Sequence, residues 1–228
     1  KSYDVIVVGA GNAALSAALS AAEQGASVLV LERAPEAKRG GNTSFTGGTF
    51  RTMYHGVDDI RRIVPDLTPD ELANTDFGEY PAEQFLDDIG RVTQYRCDPD
   101  LTELLVKKSY ETVVWMQSKG VKFAPIWGRQ AYLIDGKFVF WGGLTVESKG
   151  GGPGLIEQHL KLADKNGIDI RYNTRGISLI YDGKVVSGLR VNTLGGVVTP
   201  AQTLMEVVPG SNDLVIEARV PTYLIGKI

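Results

Sequence analysis

Gly9-Ala10-Gly11-Asn12-Ala13-Ala14 spells G-x-G-x-x-A. Glycine at position 9 permits a tight turn from a strand into a helix. Gly11 has no side chain, so a pyrophosphate can come up to the backbone, and Ala14 is small enough to keep the helix close to the sheet. The N–H groups at the start of that helix then face the phosphates. An acid, Glu32, stands about 20 residues further on, the distance at which a second strand of a βαβ unit ends. A carboxylate there accepts hydrogen bonds from ribose hydroxyls. It would also repel a 2′-phosphate, which argues against NADP. A bare glycine pattern is weak, and its competing reading is an ordinary glycine turn. Here it follows a strand-like run, opens a helix and precedes a second strand that ends in an acid.

NAD and FAD share this fingerprint, so another feature must separate them. Gly40-Gly41-Asn42-Thr43-Ser44-Phe45-Thr46-Gly47-Gly48 places two glycine pairs around small polar residues, shortly after the first βαβ. Such a loop can lay backbone donors along a ribityl chain and the edge of an isoalloxazine, which favours FAD. Without the N-terminal motif, the same segment would read as a flexible surface loop.

The elements that must hold these residues follow from pattern and punctuation. Tyr3 to Val8 is a short apolar run ending at Gly9, expected as a strand buried on both faces. Asn12 to Gln24 is alanine-rich and free of proline and glycine, so it should be helical and stop at Gly25. Ala26 to Leu31 is a second buried strand, closed by Glu32. From Thr49 to about Gly152 the character changes to helices with polar loops. Thr68-Pro69-Asp70-Glu71 reads as a helix start with Thr68 as N-cap, and Asp98-Pro99 repeats the signal for a helix running toward Lys119 and stopping at Gly120. Ala124 to Leu144 reads as irregular or hairpin structure. Gly154 to Asn166 is expected to be a helix, and Ile168 to Tyr172 a strand. Asp182-Gly183 between two apolar runs is a two-residue hairpin signal. The expected fold is α/β: a Rossmann-like βαβ with a parallel sheet, a helical insertion over about 50–150, a β-hairpin and a β-rich C-terminal segment.

Composition narrows the function. Of 228 residues, 43% are hydrophobic, enough for one large domain or one domain with a small appendage. The net charge of −3 points neither to nucleic acid nor to an anionic membrane surface. Cys97 is the single cysteine, so no internal disulfide or cysteine-built metal site is possible and a reducing, cytoplasmic compartment is expected. No run approaches the roughly 20 apolar residues of a membrane span.

The string DVIVVGAGNAALSAALSAAEQGASVLVLERA followed by GGNTSFTGG resembles the soluble flavoproteins related to fumarate reductase and succinate dehydrogenase. Within that group it is similar to the tricarballylate dehydrogenases, and the likeness runs from about Ser2 to Val191. It implies that Gly9, Gly11, Asn12, Ala13 and Ala14 lie at the FAD pyrophosphate, and Glu32 and Arg33 at the adenosine ribose. It also implies Gly40, Gly41, Asn42, Thr43 and Ser44, with Gly47 and Gly48, along the flavin, and Gly176 near the adenine. Asn42 stands where membrane-bound relatives carry a histidine linked covalently to FAD, so non-covalent FAD is implied here. The implied reaction removes hydride across a C–C bond next to carboxylates of a small tricarboxylate or dicarboxylate.

The family continues into a further strand, a capping domain and a C-terminal segment that this sequence does not contain. Residues 1–191 are therefore expected to be a truncated FAD-binding domain, inactive alone, with its catalytic residues unassigned. Residues 192–228 form a β-rich tail. Asn192 to Met205 with VVPGSNDLVIEARV resembles the periplasmic adaptor (membrane fusion) proteins of type I secretion. That likeness implies a chimera whose tail could meet a partner protein. The other reading is a divergent flavoprotein β-segment.

Several conspicuous residues read as structural. His159 is expected at a surface or core edge and His55 in a loop, too far apart in sequence to suggest a metal. Cys97 reads as a packed thiol, Asp87 and Asp88 as a solvated helix face, and Trp127, Phe140 and Trp141 as core.

Overall fold

The computed structural model describes residues 2–193 and the strand at 214–217. The chain divides into two compact units, Lys1–Ser44 with His159–Ile228, and Phe45–Gln158. In chain order the elements are β1 (Val5–Val8), α1 (Asn12–Glu23), β2 (Val28–Leu31), β3 (Thr49–Phe50), α2 (Val57–Ile63), α3 (Pro69–Ala73), β4 (Thr75–Asp76), α4 (Ala82–Thr93), α5 (Pro99–Lys119), β5 (Phe123–Pro125), α6 (Trp127–Gln130), β6 (Ala131–Ile134), β7 (Lys137–Phe140), β8 (Val146–Ser148), α7 (Gly151–Lys165), β9 (Asp169–Arg171), β10 (Thr174–Tyr181), β11 (Val186–Thr193) and β12 (Leu214–Glu217).

In the first unit, β1, β2 and β9 form a parallel sheet in that order, with Val5 opposite Val28 and Leu29 opposite Asp169. β2 lies between its two neighbours and all four of its residues are buried. β1 departs from the expectation of burial on both faces. Val5 to Val7 are half-buried and Val8 is exposed. The reason is its place in the sheet: β1 is an edge strand among the described residues, and Val5 and Val7 border an apolar groove with Ala17 and Ala21. α1 ends as expected at Gly25, whose φ of +86° suits a residue without Cβ.

β10, β11 and β12 form a second, antiparallel sheet. Leu189 and Val191 of β11 pack with Tyr3, Leu29 and Leu31, which joins the two sheets through one apolar cluster. The hairpin sits where Asp182-Gly183 predicts it, but its loop is longer than two residues. Pairing ends at Tyr181 opposite Val186, and the Asp182 carboxylate accepts the N–H groups of Lys184 and Val185 at 2.8 and 2.7 Å. That side-chain turn takes the two amides out of the ladder. Of the expected β-rich tail, Asn192 and Thr193 complete β11 and Leu214–Glu217 pairs with β11; the rest lies outside the described residues.

The second unit holds the helices expected in the insertion. Thr68 caps α3 through a capping box with Glu71, Asp98 caps α5, and Gly120 ends α5 at φ +114°. Its core gathers Tyr54, Ile60, Phe77, Tyr80, Phe85, Val106 and Phe140. Trp141, expected in the core, is 67% exposed because it follows the β6–β7 hairpin out to the surface. Asp88 is likewise not a purely solvated carboxylate. It accepts the buried Tyr80 hydroxyl at 2.6 Å and pairs with Arg91 and Arg51.

Candidate cofactor-binding site

The site in the first unit grows from the turn after β1. Gly9 turns the chain at φ +104°, and its N–H donates to the Leu31 carbonyl at 2.7 Å. The next amide, Ala10 N–H, donates to Glu32 Oε2 at 2.9 Å, while Glu32 Oε1 accepts Ala34 N–H at 2.8 Å. Glu32 is buried, and its carboxylate therefore ties the glycine turn to the turn after β2. Each carboxylate oxygen retains a second lone pair.

Gly11 is the N-cap of α1. A Cβ added there would stand 3.5 Å from Thr43 Oγ1 and 3.6 Å from the Gly40 carbonyl, so the absent side chain leaves a narrow cradle at the helix start. A Cβ on Gly9 would lie 3.8 Å from that of Ala14, an ordinary contact, so the positive φ rather than crowding calls for glycine at 9. Thr43 Oγ1 accepts Asn12 N–H at 3.2 Å. The first amides of any helix have no carbonyl partner within it, so this end of α1 presents donors and the positive end of the helix dipole.

The structure brings Gly9 to Ala14, Glu32, Gly40 and Thr43 together. Gly176 joins them: Thr174 N–H donates to the Glu32 carbonyl at 2.9 Å, and a Cβ on Gly176 would meet Val8 at 3.4 Å. Arg33, Gly41 and Asn42 are exposed. Ser44 Oγ donates to the Arg39 carbonyl at 3.0 Å and caps its own loop. Gly47 and Gly48 belong to the second unit. A Cβ on Gly48 would fall 2.5 Å from the Gly151 carbonyl carbon and 2.7 Å from Ser148 Oγ. Backbone contact alone thus demands glycine at 48.

The sequence reading missed His159. It has no exposed surface, and Nε2 lies 2.9 Å from Asn12 Oδ1. Burial pushes its imidazole down to a pKa of about 4. The signal was present in the helical spacing of Leu155, His159 and Ala163, all on the buried stripe of α7.

Comparison with known proteins rests on the same span. The FAD binding domain family matches residues 4–219. The chain belongs to that family. It is 28% identical over 189 residues to a fumarate reductase (cytochrome) of Shewanella frigidimarina, covering 82% of this chain and 29% of that protein. Over 69 residues it is 52% identical to a 3-oxosteroid 1-dehydrogenase of Mycolicibacterium smegmatis, covering 30% of this chain and 11% of that one. The open conformation of a flavocytochrome c3 fumarate reductase superposes with a TM-score of 0.63 at 25% identity, covering 85% of this chain and 30% of that one. The chain thus spans under a third of the length of these relatives. The family domain continues past the expected boundary at 191 into the tail.

FAD is the cofactor of this domain, and the domain is that of flavin-dependent oxidoreductases of the fumarate reductase family. The residues present fit it. The Gly11 cradle, which a Cβ would fill, opens at the donor end of α1 beside the Glu32 carboxylate. Among the described residues no helix is long and apolar enough to cross a membrane.

Proposed function

We propose that this chain is the FAD-gripping part of an oxidoreductase that works on a C–C bond next to carboxylates. The substrate of the whole protein would be a tricarballylate-type tricarboxylate or a dicarboxylate. The observation that carries the reading is the Glu32 carboxylate bonded at 2.9 Å to the amide of the glycine turn. Gly11 and the first amides of α1 hold the pyrophosphate. Glu32, through its remaining lone pairs, takes the adenosine ribose, and Gly176 leaves room on the adenine side. Gly40 to Ser44 would border the flavin. Bound FAD would supply the hydride acceptor or donor. Asn42 offers a carboxamide without a nucleophilic ring nitrogen, so the flavin is held without a covalent bond. The names of the fumarate reductases among its relatives support the substrate class. The steroid dehydrogenase match supports a second reading, a ketosteroid substrate, over a shorter span. For residues 192–219, the family match and the pairing of β12 with β11 support a flavin-domain β-segment over an adaptor-like module.

The test is reconstitution of the 228-residue chain with FAD. A yellow, roughly stoichiometric complex that releases all its flavin on acid precipitation is expected. Gly11→Val should weaken FAD at least about tenfold, or ~1.4 kcal/mol, because the side chain enters the pyrophosphate's approach. Neither tricarballylate oxidation nor fumarate reduction is expected from this chain alone, since enclosure of the reacting bond supplies much of the rate. A chain that stays colourless, or a Gly11→Val variant that binds FAD as well as the parent, overturns the reading.

A further inference from the structure

We propose that His159 is a positioning residue of the FAD site. Its Nε2–H holds the Asn12 side-chain carbonyl, so that the amide hydrogens on Asn12 Nδ2 are turned out at the start of α1 as donors for the pyrophosphate. The inference rests on the FAD-binding reading above and deepens it.

The two residues are 147 positions apart, yet both belong to the first unit, and their side chains meet at 2.9 Å. His159 is wholly buried on α7, at helical spacing from the buried Leu155, Ile156 and Ala163, residues without side-chain hydrogen-bonding groups. Its other ring nitrogen, Nδ1, has no hydrogen-bond partner among the described residues. A neutral imidazole carries one N–H and one lone pair. An orphaned buried donor costs the full desolvation of that group, and orphaned donors are rarer in proteins than under-satisfied acceptors. The proton therefore sits on Nε2, and Nδ1 is the bare lone pair. A donor at Nε2 in turn selects the carbonyl branch of Asn12, which leaves the NH2 branch for another acceptor.

Asn12 is half-buried and is the first residue of α1, next to the Gly11 cradle. Its backbone N–H is already held by Thr43 Oγ1. The side-chain amide is thus the added donor that Asn12 brings to an anion. Burial keeps the imidazole uncharged at neutral pH, with no neighbouring charge contributing. His159 consequently acts by orientation and adds no charge of its own. No motif records this, because the histidine lies far from the glycine turn in sequence.

The test is equilibrium binding of FAD and of ADP to the full chain and three variants. His159→Leu should weaken both ligands about fivefold, the worth of one hydrogen bond of ~1 kcal/mol. Asn12→Ala should weaken them by a similar factor. The double variant should be no worse than Asn12→Ala, because His159 acts only through Asn12. His159→Gln, whose amide can donate to Asn12 Oδ1, should recover most of the loss. Should His159→Leu fail to fold, 15N chemical shifts of the parent decide: a proton on Nε2, with no titration between about pH 5 and 8, is expected. Unchanged affinity in a folded His159→Leu, losses that add in the double variant, or a proton on Nδ1 each overturn the role. A parent chain that binds neither FAD nor ADP defeats the FAD-binding reading first and this role with it, a result distinct from the other three.

Discussion

The Glu32 carboxylate accepts two backbone amides at once, Ala10 N–H and Ala34 N–H, and is buried while doing so. One side chain therefore shapes the glycine turn before any ligand arrives. The proposed contact with ribose hydroxyls would use the lone pairs left over. Removing the carboxylate should hurt stability as well as binding. Glu32→Ala leaves both amides without their acceptor and should cost about 1–3 kcal/mol in urea denaturation. Glu32→Gln has one carbonyl oxygen, can satisfy one amide, and should fall between Glu32→Ala and the parent. A Glu32→Ala chain as stable as the parent would mean that water replaces the carboxylate at the turn.

The loop from Gly40 to Gly48 illustrates how an element can carry two demands. Its first half approaches the start of α1, as the contact of Thr43 with Asn12 records. Its last residues join the start of α7: Ser148 N–H donates to the Gly48 carbonyl at 2.8 Å and Gly152 N–H to the Thr46 carbonyl at 3.0 Å. The second bond explains why α7 begins at Gly151 rather than at Gly154, where propensity would start it. A loop carbonyl takes an amide that a helix start otherwise leaves orphaned. Gly48→Ala and Gly41→Ala separate the causes. Both sites have positive φ, +68° and +52°, but a Cβ at 48 would strike the Gly151 backbone at 2.5 Å and one at 41 meets nothing within 4 Å. Gly41→Ala should cost about 1–2 kcal/mol in backbone strain alone. Gly48→Ala should cost at least about 1 kcal/mol more, from overpacking against backbone. Equal losses for the two in chemical denaturation would show that the Gly48–Gly151 contact relaxes freely.

At the scale of the whole molecule, a buried histidine and two hydrogen-bonded carboxylates make stability depend on pH in two separable windows. His159 is the first. Its folded pKa of about 4 lies below the ordinary 6.5, so between those values the unfolded chain binds the extra proton. Stability should be full above about pH 6.5 and fall as pH drops toward 4, by up to about 3 kcal/mol. The carboxylates form the second. Hydrogen bonds from the Tyr80 hydroxyl and then Arg91 hold Asp88 below its usual 3.8, and the amides of Val185 and Lys184 do the same for Asp182. Their contributions are present above that value and are lost only at lower pH. Thermal unfolding followed from pH 7 to 4 should show a falling Tm in the parent and a flatter profile in His159→Gln. A parallel fall in the variant would assign the acid sensitivity to other groups.

The sequence by itself determined whatever depends on neighbours within a few residues. It located the strand–turn–helix around Gly9 and Gly11, the capped starts at Thr68 and Asp98, the stop at Gly120, and the hairpin at Asp182-Gly183. It also marked Glu32 as the acid that ends the second strand. These are decided by backbone dihedrals and i to i+4 contacts, which residue types report directly. Tertiary structure decided the rest. It left β1 at a sheet edge, set β9 as the third parallel strand, gave Asp88 a buried tyrosine partner, and put His159 against Asn12. Periodicity places a residue on a helix face but does not say which side chain that face will meet. A glycine reads the same whether a turn or another backbone requires it, as at Gly9 and Gly48 in turn, and only long-range packing tells the two apart.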